Sequence, residues 1–275
     1  MIPEIRLVRC RWVIAIWGIS FILAVAAAVV MDILMGSVPG YWESAMLFYV
    51  AYGGIVFGLF LACRSHSIRI LQMIGPIPSA AKVFGYALVA IPVFLSSLGG
   101  AWLISLIAPH LFDGFANEFL KFKPESPLQV VLTFSIFVVV APAVEEFTFR
   151  GLLFTRLSVK YSSRTAIVVS SLMFGLLHVD FIGAFVFGLV AASMYARSRS
   201  LVAPFALHSM NNLIAFAGFL GDASSNQPIP SWVGLLGVFA GIPACAFLIA
   251  RWTRSTMVPP YIPGSVILGN IEEAV

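Results

Sequence analysis

Eight long apolar runs, separated by short gaps that carry most of the basic residues, leave this chain few ways to fold. The runs cover approximately residues 12–35, 44–63, 82–107, 128–157, 165–179, 181–197, 201–219 and 232–252. About 20 apolar residues in a helix span the hydrocarbon core of a bilayer, where backbone polar groups must be satisfied within the protein. The expectation is an all-α, polytopic transmembrane helix bundle of about eight helices, with 1–275 forming one integral-membrane domain. Only 10% of residues are charged and mean hydropathy is +1.00, whereas soluble domains carry about 25% charged residues. The fourth run would make a helix about 45 Å long, which must tilt, kink near Pro142 or protrude. The fifth and sixth runs are short, meet at VDFIG, and read as segments tucked inside the bundle.

The gaps set the expected topology. With the N-terminus inside, thirteen of the sixteen Lys and Arg residues fall on the cytoplasmic side, Lys121 and Lys123 fall opposite, and Arg150 lies within a span. That partition follows the positive-inside rule and predicts cytoplasmic N- and C-termini. A pI near 9.1 does not indicate nucleic acid, because the basic residues are spread over gaps rather than clustered on a soluble module. Cys10, Cys63 and Cys245 form no CxxC and imply neither a disulfide framework nor a zinc site. The basic start followed by an apolar stretch resembles a signal peptide, but the run from Trp12 to Leu34 is longer than a signal core. In the outer loop 108–127, Phe112, Phe115, Phe119 and Phe122 recur at helical spacing, as in an interfacial amphipathic helix. The segment 64–81 reads as a structural connector and 255–275 as an extramembrane tail.

Polar residues inside these runs are concentrated between 128 and 220. Residues 141–150 read APAVEEFTFR, three ionisable groups where a charge costs about 2.5–3.5 kcal/mol even on lenient insertion scales. Glu146 and Arg150 are four apart, on one helix face, and are expected to pair. Glu145 points about 100° away and is the carboxylate left for proton transfer. His178, in FGLLH, follows Phe174 by four, and the ring is expected to pack beside the imidazole. His208 and Asn212, in HSMNN, are also four apart. Counted from the inner helix ends, Glu145 lies ~18 Å deep, His178 ~21 Å, His208 ~12 Å and Asn212 ~18 Å. Shared depth is a necessary condition for one site. Each residue alone also has a structural reading: Glu146–Arg150 as a packing pair, a histidine or Asn212 as an interhelical hydrogen-bonding group. Asp32, Asp180 and Asp222 read as interface or loop residues, and Asn211, His66 and His110 take no role.

EEFTFRG, FGLLH and HSMNN resemble, in order, the three motifs of the CAAX protease and bacteriocin-processing family of intramembrane endopeptidases: Glu-Glu-x-x-x-Arg, Phe-x-x-x-His and His-x-x-x-Asn. The resemblance covers about 130–220 and departs at Thr148, where an apolar residue is usual. It implies a helix bundle enclosing a polar, water-accessible cavity and metal-independent hydrolysis of a peptide bond in a membrane-associated or lipidated, CAAX-like substrate. By that resemblance Glu145 and His178 activate water, while His208 and Asn212 stabilise the oxyanion. Glu146, Arg150 and Phe174 support them, and no cofactor or metal is implied. Implied partners are a peptide or lipidated protein and membrane lipids.

Three other readings stay open. Glu145, His178 and His208 could form a His₂Glu zinc set, although no HExxH is present. A scaffold or bacteriocin-immunity protein would have no need of the full polar set. A proton-coupled transporter would use an intramembrane Glu–His–His relay, but the chain has no internal repeat.

Overall fold

The structure is a computed structural model that describes residues 9–36, 40–109, 123–178, 180–220 and 229–254. His110, the outer-loop phenylalanines at 112, 115, 119 and 122, Asp222 and the tail from 255 lie outside the described residues. Among the described residues the secondary structure is helical throughout: α1 (Cys10–Met35), α2 (Gly40–Ser65), α3 (Ile70–Ile74), α4 (Ala80–Ile107), α5 (Pro127–Lys160), α6 (Ser163–Gly175), α7 (Phe181–Ser198), α8 (Val202–Leu220) and α9 (Ser231–Thr253).

Local chemistry marks the ends of these helices. Ser126, Ser162 and Asp180 sit at the N-caps of α5, α6 and α7 and accept from the backbone N–H of Gln129, Thr165 and Gly183, satisfying donors that a helix start leaves open. α7 stops where Arg199 enters the left-handed region. Just before α4, Gly75 has φ +74°, and an added Cβ would stand 2.1 Å from the Arg199 carbonyl oxygen. Only glycine fits that close approach. It lets Leu201 N–H donate to Ile74 O at 2.8 Å, tying the connector after α2 to the α7–α8 turn.

Among the described residues, six helices are long and apolar enough to cross a membrane: α1, α2, α4, α5, α7 and α9. The two remaining long segments are those that carry the second and third motifs. α6 has 13 residues, about 20 Å, short of the roughly 30 Å hydrocarbon core. α8 has 19 residues but is diluted by His208, Asn211 and Asn212. The sequence expectation of a fifth helix running to residue 179 is corrected. α6 ends at Gly175 and His178 lies on the turn that follows, its N–H donating to Gly175 O at 2.9 Å.

Packing fixes the direction of each helix. Gly54 and Gly58 of α2 lie against Ser20 and Ile16 of α1, so these run antiparallel. Tyr41 and Tyr49 at the start of α2 reach Gln129 and Leu132 at the start of α5, so these run parallel. Gly99 of α4 meets Gly237 of α9, Gly241 meets Ser96, and Gly188 of α7 meets Ser171 of α6, each pair antiparallel. These directions gather every described Lys and Arg at one end of the bundle, except Lys123 at the other end and Arg150 within. The charge segregation inferred from the gaps is therefore a property of the fold.

α7 is the central helix: Val190, Ala191, Ala192 and Tyr195 are fully buried. α1, at the periphery, exposes Ile22, Ile33 and Leu34, as a lipid-facing helix does. The core joins α7 to α5, α6 and α8 through Phe154, Phe174, Phe187 and Leu207.

Candidate active site

α5 holds the acidic residues, and it is not a uniform α-helix. Ala141–Glu146 is α-helical, but Ser135–Val140 before it and Phe147–Phe154 after it are π-wound. π segments inside helices recur at functional sites. Here proline explains part of the winding. Pro142 has no N–H, and the Ala141 N–H is taken by Ile136 O. The Phe137 carbonyl, which either residue would otherwise serve, accepts from Asn212 Nδ2 of α8 at 2.9 Å.

The predicted pair forms. Arg150 Nη1 donates to Glu146 Oε1 at 2.8 Å, with both side chains 1% exposed. Arg150 also lies over two rings, its Cζ 4.7 Å from the Phe174 centroid and 5.4 Å from that of Phe187. One guanidinium thus links α5 to α6 and α7 by charge and cation–π contact. The unusual Thr148 is accommodated because its hydroxyl donates to Val144 O at 2.7 Å, the back-bond by which a helix absorbs a buried threonine.

His208 joins the two glutamates. Its Nδ1 lies 2.8 Å from Glu146 Oε1, the oxygen that Arg150 also contacts, and its Nε2 lies 3.8 Å from Glu145 Oε2. Nδ1 facing a carboxylate acts as the donor, so Nε2 is the nitrogen turned towards Glu145. The ring is held by Phe187, 4.6 Å away at 60°, and Phe174, 5.9 Å away at 77°. Glu145 itself is 6% exposed. Its Oε1 accepts from the Tyr52 hydroxyl of α2, while Oε2 has no hydrogen-bond partner among the described residues.

His178 flanks the same phenylalanine. Its ring stacks on Phe174 at 4.4 Å and 29°, as its spacing predicts, although it lies past the helix end. Its Nδ1 donates to Phe174 O at 2.8 Å, which leaves Nε2 as the basic nitrogen. Phe174 therefore separates two imidazoles and supports Arg150.

Sequence spacing anticipates the Glu146–Arg150 pair and the Phe174–His178 stack but misses two contacts, His208 to Glu146 and Tyr52 to Glu145. Asn212 Oδ1 accepts from Asn211 Nδ2 at 3.4 Å, which gives Asn211 a part in the arrangement. Glu145, Glu146, Arg150 and His208 are all closely packed, at 6, 1, 1 and 4% exposure, while His178 is half-buried. Among the described residues, no three His, Cys, Asp or Glu side chains converge as a metal-ligand set, so the zinc reading gains no geometric support.

Chemically, the arrangement offers one carboxylate oxygen on each glutamate without a hydrogen-bond partner among the described residues, two imidazole Nε2 atoms turned away from their anchoring bonds, and a primary amide. The charges also balance. Arg150 and Glu146 offset each other, and a single proton placed on either Glu145 or His208 leaves the remaining pair neutral. A buried set of this kind avoids an uncompensated charge.

No curated protein and no solved structure gave a significant match to the chain. Residues 127–214 match the family model described as type II CAAX prenyl endopeptidase, Rce1-like. All seven motif residues lie inside that match, so the likeness to type II CAAX prenyl endopeptidases rests on this segment, which is less than half of the chain.

Proposed function

We propose that this protein is an intramembrane glutamic-type endopeptidase that hydrolyses a peptide bond in a membrane-associated or lipidated, CAAX-like substrate. The single observation that carries this reading is Glu145: a buried carboxylate with one oxygen tethered and the other turned to His208 Nε2 at 3.8 Å. Oε2 of Glu146 also lacks a hydrogen-bond partner, but Glu146 is paired through Oε1 with Arg150 and His208 at 2.8 Å each, whereas Glu145 meets its histidine only at 3.8 Å.

Peptide hydrolysis needs a base for water, a donor for the leaving amine and donors for the tetrahedral oxygen. In the working state Glu145 is ionised and His208 carries a proton on Nε2, so the four buried groups sum to zero charge. Glu145 Oε2 takes a proton from water, with His178 Nε2 accepting the water's second hydrogen bond. The hydroxide adds to the scissile carbonyl carbon. The developing oxyanion is met by His208 Nε2–H and by the Asn212 N–H not committed to Phe137 O, since a primary amide has two donors. Glu145 then returns its proton to the nitrogen as the C–N bond breaks, leaving an amine and a carboxylic acid that gives up its own proton on release. Glu146 and Arg150 hold His208 and α5 in register. The basic end of the bundle faces the cytoplasm by the positive-inside rule.

The test uses purified protein in lipid nanodiscs with two quenched peptides, one ending in an S-farnesyl CAAX sequence and one apolar and unlipidated. Cleavage of at least one at a single bond, unaffected by EDTA, is expected. Loss of cleavage in EDTA with recovery on added zinc would move the assignment to a metalloprotease. A folded protein that cuts neither peptide would favour the scaffold reading.

A further inference from the structure

We propose that Tyr52, on α2 and outside the family-matched segment, is a positioning residue that selects which oxygen of Glu145 acts. This inference rests on the proteolytic role given to Glu145 above.

α2 carries three tyrosines that meet α5. At 100° per residue, Tyr41, Tyr49 and Tyr52 fall within an arc of about 80° on one helix face. The first two make ordinary structural contacts: Tyr41 OH donates to Gln129 O at 2.9 Å, and Tyr49 OH to Leu132 O at 2.9 Å, each with a hydroxyl neighbour on Thr133 or Ser135. Tyr52 differs in its acceptor. It donates to Glu145 Oε1, a side-chain carboxylate rather than a carbonyl. Its ring is held edge-on by Trp17 of α1, at 6.2 Å and 74°, and Trp17 packs in turn on Phe149, the residue before Arg150. The hydroxyl is thus fixed by two helices that bring no other group to the site.

A glutamate side chain has three rotatable torsions and two equivalent oxygens. Tying Oε1 to a phenol removes that equivalence and turns Oε2 towards His208 Nε2. The bond is charge-assisted when Glu145 is ionised, so it also keeps an acceptor available where burial works against charge. The rotor is ordered before substrate arrives, and preorganisation of this kind lowers the barrier without strengthening substrate binding. The cleavage machinery therefore extends beyond the matched segment to an N-terminal helix of this chain.

The experiment compares Tyr52→Phe, Tyr49→Phe, Glu145→Gln and the Tyr52→Phe/Glu145→Gln double variant, with kcat, KM and thermal stability measured in nanodiscs. Tyr52→Phe is expected to lower kcat about 10- to 100-fold, the range for a hydrogen bond to a charged group, with KM unchanged. Tyr49→Phe removes a comparable hydroxyl from the same interface and is expected to keep wild-type kcat. The double variant is expected to be no slower than Glu145→Gln alone, because the two residues act as one unit. Wild-type kcat in Tyr52→Phe, with Glu145→Gln inactive, would overturn the positioning role alone. Equal kcat losses in Tyr52→Phe and Tyr49→Phe that track thermal stability would overturn it too. Full activity in Glu145→Gln would overturn both this inference and the function on which it rests.

Discussion

Two helix interfaces in this bundle solve the same problem in opposite ways. α4 and α9 meet through glycine: a Cβ added to Gly99 would stand 2.7 Å from the Gly237 carbonyl carbon, and one added to Gly237 would stand 2.3 Å from Leu95 O. α5 and α8 meet through polar groups, His208 on Glu146 and Asn212 on Phe137 O. Lipid tails are as apolar as leucine, so helices in a bilayer associate by close backbone approach or by hydrogen bonds. The glycine interface shows that this chain can hold helices together without burying charge. The charges between α5 and α8 are therefore not needed for adhesion, and they are costly where they lie. That contrast is the physical ground for reading them as chemistry.

The contrast can be broken at either interface. The largest stability effect is expected at Arg150→Ala, which strands Glu146 in a buried site. Removing one partner of a buried pair costs about 3–5 kcal/mol, and denaturant titration in detergent micelles should show that loss together with loss of activity. Gly237→Ala forces a methyl group against backbone that cannot rotate away, and overpacking of this kind costs about 1–3 kcal/mol. Activity per folded molecule should stay at the wild-type level, because α9 supplies no group to the site. If Gly237→Ala destroyed cleavage while the protein stayed folded, the division between an adhesive and a chemical interface would be wrong. The smallest stability effect is expected at Asn212→Ala. Interhelical hydrogen bonds in membranes average about 0.6 kcal/mol and reach about 1.7. Its turnover should nevertheless fall about 10²–10³-fold, as for loss of one oxyanion donor. An unchanged turnover would confine Asn212 to bracing the Phe137 carbonyl.

Much of this was legible in the residues because it is local. Glu146 and Arg150 pair at the four-residue spacing that helix geometry dictates, and Phe174 stacks on His178 for the same reason. Helix limits fall within a few residues of the apolar runs, except where Gly175 ends α6 before His178. The contacts that organise the site are not local. His208 reaches Glu146 across 62 residues of sequence and Tyr52 reaches Glu145 across 93. No periodicity encodes which helices become neighbours. The tyrosine face of α2 was the available signal, but a tyrosine in an apolar run reads first as an interface aromatic. The π winding on both sides of Pro142 was equally hidden. Proline announces a missing donor, not the register shift that accommodates it.

The central claim is that Glu145 is the base that activates water, and the direct measurement is single-turnover cleavage by Glu145→Gln in nanodiscs. Glutamine keeps the shape and can still accept from Tyr52 but cannot take a proton. The account predicts a fall in rate of at least about 10²-fold, in the range of lost general-base catalysis, with substrate still bound and the protein as stable as the parent. Cleavage at the parent rate would contradict it.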